Sequence, residues 1–554
     1  ASYEKARKSY EEKSASYGYQ PDQFAYHSLK EALGAKPGDA LYDRLITRDS
    51  EYESTELQQR ALNISYIWKH FIGKKGSFML GGYTNLSGTN EDTHTNHDVE
   101  YLREQRNEKL WQFYDRSEHN LNTQFGASFD YWLGKKVYFN VFDNVRLSRT
   151  RIARDFFSDT DEQNVVGGTP TTADPANTTR RLTHKWTNEL TVKSTITPVK
   201  ALMIMPMFKW NYSREKANYH YGPLDTTAVR TSNTYEPSIF LKWKMSRVRN
   251  MDIAFAYNTT VPDLVSTLGY RNTIDPLHIY MGNPLLRNSH SHTTTYNYHR
   301  MWLRKQIVLG FTASYNKDIN PQATLYSYNS ATGVYTSKPM NVKGGDMWKF
   351  AFNYDQGIGF YFRLMNKFAL ETAKSYGFLT IVDNNAADAQ PELNKQKRLG
   401  INNEFEFSYE TEKLQLTLFD RLESNRYRYD DASYNTTPLF NSVGISANLH
   451  LAPFEVFVQL SDDYCSGYAT SAMNGHKLKS MASVSWSFCK NKCMLRLFAD
   501  DIFNKDIWYE SEYSAFQRQE YSTNYIHHYL NLSFRYRLDA KAKKGKSTTI
   551  SSRR

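Results

Sequence analysis

Hydrophobic and polar residues alternate strictly near the end of the chain, between Ile526 and Leu538. A period of two predicts a β-strand with two unlike faces, because successive side chains of a strand point to opposite sides. Such a strand fits between lipid and the wet lumen of a membrane barrel, or in the half-buried sheet of a soluble β-sandwich. One face would be apolar and the other polar, with Leu530, Leu532, Phe534, Tyr536 and Leu538 on the first and Asn531, Ser533, Arg535 and Arg537 on the second.

The same plan repeats from Leu62 onward, where alternating strands are joined in pairs by very short turns. Each turn carries turn-favouring residues at its tip, as tight β-hairpins require. Together with the strand that closes the chain, these hairpins predict 19 strands. The nine turns are predicted at 73–77, 134–136, 197–200, 246–250, 300–305, 355–357, 410–413, 452–453 and 489–493.

Long polar segments rich in Asn, Asp, Ser, Thr and Tyr separate the tight turns and are predicted to be loops. Structureless connections of this length are uncommon in compact soluble domains. Short turns that alternate with long loops are typical of outer-membrane barrels, with the turns in the periplasm and the loops outside the cell. The segments are 86–119, 152–184, 214–233, 259–292, 318–346, 370–397, 424–440, 464–477 and 506–526.

These patterns predict an all-β fold, a transmembrane antiparallel β-barrel of the outer membrane. Bacterial single-chain barrels have even strand numbers and the large transporters have about 22. The 19 strands are therefore interpreted as strands four to 22 of a truncated barrel. Residues 1–60 are predicted to be a polar extracellular loop with a short helix near Ser28–Leu33, residues 61–538 the barrel, and residues 539–554 a disordered basic tail in the periplasm.

Composition narrows the class of protein further. A mean hydropathy of −0.67 and the lack of an apolar run of about 18 residues exclude a helical membrane protein. The net charge of +11 is spread along the chain without nucleic-acid-binding motifs, so anionic lipid is the expected partner and nucleic acid is not. The first residues are charged throughout and do not resemble a signal peptide, which indicates a processed form or a piece of a longer protein.

The cysteines are too few for a disulfide scaffold, since the chain has only three. Cys489 and Cys493 flank a predicted tight turn and are a candidate disulfide in an oxidising compartment. No cofactor is predicted.

Two segments carry a resemblance to a known family. The first, Tyr257 to His299, contains an apolar stretch with a proline, then Asp-Pro, then Gly-Asn-Pro-x-Leu; the second is LRLFADDIFNKD (495–506) followed by NYIHHYLNLSFRYRL (524–538). Both resemble TonB-dependent receptors of the anaerobe type.

The resemblance implies a 22-stranded outer-membrane barrel, an N-terminal plug domain, and uptake energised by the inner-membrane TonB complex. No plug domain or TonB-contacting segment is recognisable before Leu62, so the plug is expected to be missing from this chain. The first segment's elements are Pro262, Leu264, Leu268, Asp275, Pro276, Gly282, Asn283, Pro284 and Leu286.

Candidate sites are few, and no catalytic signature is present, so the protein is not expected to be an enzyme. The motif Gly282, Asn283 and Pro284 is interpreted as a structural turn, because glycine permits positive φ and proline fixes φ. The lumen-facing candidates are Asn531, Ser533, Arg535 and Arg537. The two arginines are predicted to contact plug carboxylates or an anionic solute.

Histidines are weak candidates for metal binding. His290 and His292 share one face of a predicted strand, and His94 and His97 lie near several carboxylates in a predicted loop. A metal site needs three or more converging ligands, so no metal is predicted. The carboxylates near the second pair are Glu91, Asp92 and Asp98.

The leading hypothesis is a transport protein, the barrel of a TonB-dependent receptor that takes up a bulky nutrient such as a glycan, peptide or chelate through a plug-gated lumen. Its partners would be outer-membrane lipid, the plug, the TonB complex and a surface lipoprotein. A non-energised structural, adhesion or secretion barrel is the alternative. A third hypothesis, tandem soluble β-sandwiches, predicts a chain that is soluble without detergent.

Overall fold

The computed structural model of the chain is built almost entirely of antiparallel β-strands. The structure describes residues 2–17, 29–329, 333–382, 392–430, 432, 435–468, 474–490, 492–503, 509–513, 518–522 and 528–537. It has one short helix, α1 (Leu29–Gly34). Short 3-10 turns lie at Tyr42–Arg44, Glu162–Asn164, Val265–Thr267 and Leu303–Lys305.

The strands in the first half of the chain are β1 (Ser2–Tyr17), β2 (Leu45–Ile72), β3 (Gly76–Tyr101), β4 (Arg106–Leu133), β5 (Val137–Asp159), β6 (Val165–Val166), β7 (Thr169–Pro170), β8 (Thr179–Val199), β9 (Leu202–Tyr221), β10 (Leu224–Ser246), β11 (Arg249–Thr260), β12 (Arg271–Asn272), β13 (His278–Met281) and β14 (Ser289–Trp302). Those in the second half are β15 (Ile307–Ile319), β16 (Gln322–Asn329), β17 (Tyr335–Asn341), β18 (Asp346–Ile358), β19 (Phe362–Val382), β20 (Glu392–Glu410), β21 (Leu414–Tyr429), β22 (Leu439–Leu451), β23 (Phe454–Ser466), β24 (Gly475–Phe488), β25 (Cys493–Asp500), β26 (Tyr509–Tyr513), β27 (Arg518–Ser522) and β28 (Tyr529–Tyr536).

A single sheet contains 24 of the strands that the structure describes. Four of them, β12, β13, β16 and β17, lie within connecting segments, and β1 pairs with only part of β2. The remaining 19 follow one another as an antiparallel meander from β2 to β28, the number predicted from the sequence. One continuous sheet of this size contradicts the hypothesis of tandem soluble sandwiches.

Eight of the nine predicted tight turns lie where the sequence placed them, and one is displaced. β18 and β19 remain paired through Ile358 and Phe362, so this turn occupies 359–361 and not 355–357. Gly359 has φ +65°, a left-handed conformation that glycine adopts without steric cost. The positive φ that the hairpin needs therefore sits at Gly359, and Gly357 stays in the ladder.

Two of the predicted long loops are strands instead. β3 and β4 stay paired up to Tyr101 and Arg106, and β9 and β10 up to Tyr221 and Leu224, so 86–119 and 214–233 are hairpin strands with short connections. Pairing satisfies the backbone N–H and C=O groups of these segments, and β3 is paired with both β2 and β4 there. The Thr and Tyr residues of the segments also favour strands. The polar composition that predicted loops belongs to strands whose buried face contains polar as well as apolar side chains, such as Thr93 and Val99.

The N-terminal segment is also corrected by the structure. The prediction that residues 1–60 form a loop is wrong for β1, which pairs with β2 from Ser2 opposite Ala61 to Tyr17 opposite Leu45. Backbone pairing between two charged segments needs no apolar face, so the hydrophobic pattern gave no signal for it. The predicted short helix is confirmed by α1. The predicted tail, 539–554, lies outside the described residues.

The two faces of the sheet differ in chemistry, as strict strand alternation requires. The outward face carries a wide apolar belt in which Leu418 is 51% exposed and Ile445 is 45% exposed. The inner face buries polar groups, and Ser442 Oγ there donates a 2.6 Å hydrogen bond to Asp463 Oδ1. Other buried polar residues of this face are Ser77, Ser128, Asn144, Ser408 and Ser461.

No helix among the described residues is long and apolar enough to cross a membrane. Within the described part of the chain, β28 pairs only with β25, and residues 62–72 of β2 pair only with β3.

Candidate functional site

The connection between β11 and β14, residues 261–288, folds against the inner face of the sheet, and we call it the lumen loop. It reaches β4, where Gln112 Nε2 donates a 2.5 Å hydrogen bond to the Ile274 carbonyl oxygen. It also reaches the segment before β8, where Thr273 Oγ1 donates to Asn177 Oδ1 at 3.3 Å. The lumen loop therefore lies across the inner side of several strands.

The predicted turn motif holds the lumen loop together. The Gly282 amide donates to the Tyr270 carbonyl, and the Asn283 amide donates to the Ser266 carbonyl at 2.7 Å. A Cβ atom at Gly282 would lie 1.8 Å from the Leu268 carbonyl oxygen, so only glycine fits there. The buried Asn283 side chain donates from Nδ2 to the Pro339 carbonyl at 2.8 Å. These contacts support a structural role for the motif, but close backbone approach and not a positive φ requires the glycine, since Gly282 is not among the glycines with positive φ.

A cluster of tyrosines fixes the lumen loop to β9. Tyr219 and Tyr221 stack with ring centroids 6.2 Å apart, and Tyr270 contacts both edge-on. Tyr280 adds a further ring at 5.7 Å from Tyr270. Burial raises the pKa of Tyr219 and of Tyr221 to about 12, so both stay neutral at physiological pH. The cluster is therefore an apolar contact with phenol hydroxyl groups at its rim.

A cavity of about 470 Å³ lies on the inner face beside the first residues of the lumen loop. Its walls come from β5, β8, β9 and β10, and its lining combines hydroxyl and amide groups with charges of both signs. The lining residues are Arg146, Lys185, Thr187, Asn211, Ser213, Glu215, Arg230, Ser232, Thr234, Glu236, Thr259, Val261, Pro262 and Asp263.

The charges of this cavity are arranged around two buried glutamates. Glu215 accepts from Arg230 Nη2 at 3.2 Å and lies 3.6 Å from Lys185 Nζ. Glu236 pairs with Lys209 at 2.6 Å. Arg230 Nη1 is buried and has no hydrogen-bond partner among the described residues. An unused buried donor costs about 1–3 kcal/mol, so this nitrogen is available to an acceptor group of a ligand.

The predicted lumen-facing residues of the closing strand share one face. The register sets Asn531 opposite Phe498, Ser533 opposite Arg496, and Arg535 opposite Met494, while Leu530 and Leu532 lie on the other face. Arg537 follows β28, and its backbone amide donates to the Lys492 carbonyl at 2.7 Å. The role predicted for the two arginines stays a prediction.

The structure does not bring His290 and His292 together with carboxylates. His290 stacks on Tyr257 and its Nδ1 lies 3.0 Å from Thr259 Oγ1, while His292 contacts Phe255 and Tyr315. Neither belongs to a cluster of three potential metal ligands among the described residues. His94 points to the face opposite His97, since the two are three residues apart on β3.

Cys489 and Cys493 are free thiols in the structure and lie at the two ends of the tight turn between β24 and β25. Their closeness agrees with the predicted hairpin, and the disulfide between them stays a prediction.

One cluster of two carboxylates and a histidine was not predicted from the sequence. Asp49 and Glu51 on β2 lie on the inner face with His97 of β3, which the register places opposite Glu51. Burial disfavours the charged imidazole, but the hydrogen bond to Asp49 and the charges of Asp49, Glu51 and Asp275 outweigh it and raise the pKa of His97. An Asp-x-Glu pattern was visible in the sequence, but only the strand register shows which histidine faces it.

Part of the chain matches a known protein family. Residues 216–433 match the model of a family described as the outer membrane protein beta-barrel family. The matched residues, less than half of the chain, run from the last part of β9 through β21. The match agrees with the all-β fold class and with the outer-membrane location predicted from the sequence. No curated protein matches the sequence.

Several solved structures are similar to the barrel at low identity. The copper transporter OprC is 9% identical, with 88% of this chain and 79% of that chain covered and a TM-score of 0.44. The FrpB iron transporter from Neisseria meningitidis is 10% identical, with coverage of 89% and 77% and a TM-score of 0.37. The siderophore receptor PirA from Pseudomonas aeruginosa is 10% identical, with coverage of 75% and 70% and a TM-score of 0.37.

Proposed function

We propose that this barrel takes up a bulky, polar nutrient across the outer membrane, with the cavity beside the lumen loop as part of its solute path. The observation that carries the proposal is Arg230, whose Nη1 is buried in the cavity wall without a hydrogen-bond partner among the described residues. An unused buried donor calls for an acceptor from an ordered water, an ion or a ligand, and a ligand in the cavity would supply one.

The lining of the cavity favours a solute with many hydroxyl, carbonyl or carboxylate groups. Ser213 and Ser232 hydrogen-bond each other at 2.7 Å, and Asn211 Nδ2 donates to Thr234 Oγ1 at 3.2 Å. These side chains exchange partners readily, since hydroxyl and amide groups both donate and accept. A glycan, a peptide or a metal chelate presents such groups.

The membrane arrangement is part of the same proposal. The tight turns face the periplasm and the ends with the lumen loop face the outside, as in other outer-membrane barrels. Residues 1 to about 60 lie outside the membrane, and further strands pair with β28 and with residues 62–72 of β2 to complete 22. A plug domain closes the lumen, the inner-membrane TonB complex supplies energy, and a surface lipoprotein assists capture.

In this proposal Arg535 and Arg537 bind plug carboxylates or an anionic solute. Arg535 faces the same side as Arg496, and no ion-pair partner for Arg535 is found among the described residues. Guanidinium groups bind carboxylates in a bidentate way, so plug carboxylates or an anionic solute suit them.

The experiment compares uptake of labelled oligosaccharide, oligopeptide and ferric-chelate panels by cells with and without the intact gene. Replacement of Arg230 by Gln should lower uptake of the transported solute by about tenfold or more, because one charge-assisted hydrogen bond contributes about 1.5–3 kcal/mol. Arg214→Gln is the matched control, since Arg214 lies on β9 beside Glu215 but on the other face. Equal uptake by both variants at equal surface abundance would contradict the proposal.

The alternative, a non-energised structural, adhesion or secretion barrel, is separated by the same assay. Uptake that stops when an uncoupler de-energises the inner membrane supports the energised receptor. Uptake that continues, or no gene-dependent uptake of any solute class, supports the alternative.

A further inference from the structure

The cluster of Asp49, Glu51 and His97 lies on the inner face, far along β2 and β3 from their tight turn. Asp49 and Glu51 are two residues apart and therefore point to the same side, and His97 faces Glu51 across the ladder. One potential ligand atom from each residue lies within 4.8 Å of the other two. Two carboxylates and an imidazole thus converge on one point.

Burial sets this cluster apart from ordinary surface charges. The side chain of His97 is 5% exposed and that of Asp49 is 10% exposed, and His97 Nδ1 lies 3.1 Å from Asp49 Oδ2. The other oxygen, Asp49 Oδ1, is buried and has no hydrogen-bond partner among the described residues. A buried carboxylate oxygen without a donor is costly, so a missing cationic or donor partner is indicated.

Asp49 is the least satisfied member of the cluster. It is paired with His97 and has no lysine or arginine partner among the described residues. A buried carboxylate is normally paired with a cation or bound to a metal.

We propose that Asp49, Glu51 and His97 bind one divalent transition-metal ion, for which Zn²⁺ is the best chemical match. Zinc is bound in proteins by imidazole nitrogen and carboxylate oxygen at about 2.0–2.2 Å, often by three protein ligands and one water. An imidazole ligand disfavours Ca²⁺ and Mg²⁺, which take oxygen ligands. Binding gives Asp49 a partner for its unused oxygen.

A metal ion bound at this position would lie near the lumen loop. The site joins β2 to β3, and Asp275 belongs to the lumen loop, which is hydrogen-bonded to the next strand, β4, through Ile274 and Gln112. A bound cation therefore favours the inward position of the lumen loop through its attraction to Asp275. This proposal does not depend on nutrient uptake, because a metal held in the wall is as compatible with a passive barrel.

The test uses the full chain folded in detergent micelles, stripped of metal with a chelator and then titrated with ZnCl₂ alone. Equilibrium dialysis with elemental analysis should find one tightly bound Zn²⁺ per chain. Asp49→Asn and His97→Gln should each weaken binding by more than about 100-fold, because even groups outside the ligand shell are worth about 10–100-fold. His94→Gln, on the same strand but the opposite face, should bind Zn²⁺ as the unchanged chain does.

A second measurement does not depend on the folding of any variant. Co²⁺ added to the unchanged metal-free chain should give visible absorption bands of a four- or five-coordinate site, and Zn²⁺ should displace it at a ratio of one to one. Absence of these bands, less than one Zn²⁺ per chain, or an equal loss of affinity in His94→Gln would overturn the proposal. Heat-modifiable gel migration of each variant reports whether its barrel has folded.

Discussion

The outward and inner faces of the same strands obey different rules. On β22, Ile445 faces outward and only has to be apolar, whereas Ser442 faces inward and hydrogen-bonds Asp463 at 2.6 Å. Asp463 also pairs with Lys479 at 3.2 Å. A side chain that faces lipid needs only to be apolar, because lipid tails form no directed contacts. The inner face depends on particular atoms at particular distances. Substitutions on the two faces should therefore fail for different reasons.

The largest effect is expected on the outward face. Ile445→Arg places a charge near the middle of the apolar belt and should destabilise the barrel by about 2–4 kcal/mol, because the guanidinium loses its hydration in lipid. Denaturant unfolding in lipid vesicles measures the change. Ser446→Arg, the next residue and on the inner face, is the control and should cost clearly less. Equal costs would mean that the two faces are not lipid and lumen.

The second-largest effect is expected where the lumen loop is packed too closely to accept a larger side chain. Gly282→Ala should displace the lumen loop and cost about 1–3 kcal/mol, because the new Cβ would lie 1.8 Å from the Leu268 carbonyl oxygen. Gly269→Ala is the control in the same loop, since its Cβ would meet Pro284 only at 3.9 Å. Limited proteolysis should cut the lumen loop faster in the first variant only. Similar cleavage rates would argue against a packed loop.

Asn177 accepts several hydrogen bonds, and its substitution should lower stability by a similar or smaller amount. Asn177→Ala removes the acceptor of Tyr221 Oη at 2.9 Å and of Thr273, so we expect a loss of about 1–2 kcal/mol. Gln163→Ala, an exposed amide in the same connection, should change little. Hydrogen exchange of the lumen loop is the readout, and unchanged exchange in Asn177→Ala would show that other contacts hold the loop.

The smallest effect is expected at the tight-turn end, which belongs to neither face. Oxidation should link Cys489 and Cys493 but stabilise the barrel by no more than about 2 kcal/mol, because so short a loop loses little entropy on closure. Mass spectrometry under oxidising conditions identifies the bond, and Cys489→Ser is the control that cannot form it. Failure to oxidise would contradict the predicted disulfide.

Much of the fold was predictable because its signals are local. Strand alternation and turn residues near Gly73 and Gly134 involve neighbours in sequence, and they located eight of nine turns and the 19 strands of the meander. The sixth turn was misplaced because Gly357 and Gly359 both offer turn chemistry, and only the pairing of Gly357 with Arg363 excludes the first. Polar strands such as those of 86–119 were missed because hydrophobic periodicity is weak where the buried face of a strand is itself largely polar, as at Thr93 and His97.

The sequence by itself determined the class of fold, the alternation of faces and the glycine-proline motif that fixes the lumen loop. Only the tertiary structure decided what meets on the inner face. Register brings Glu51 opposite His97, and the fold of the lumen loop brings Ile274 to Gln112. The physical reason is range: periodicity and turn chemistry act over a few residues, whereas a binding site is made by pairing and packing between residues distant in the chain.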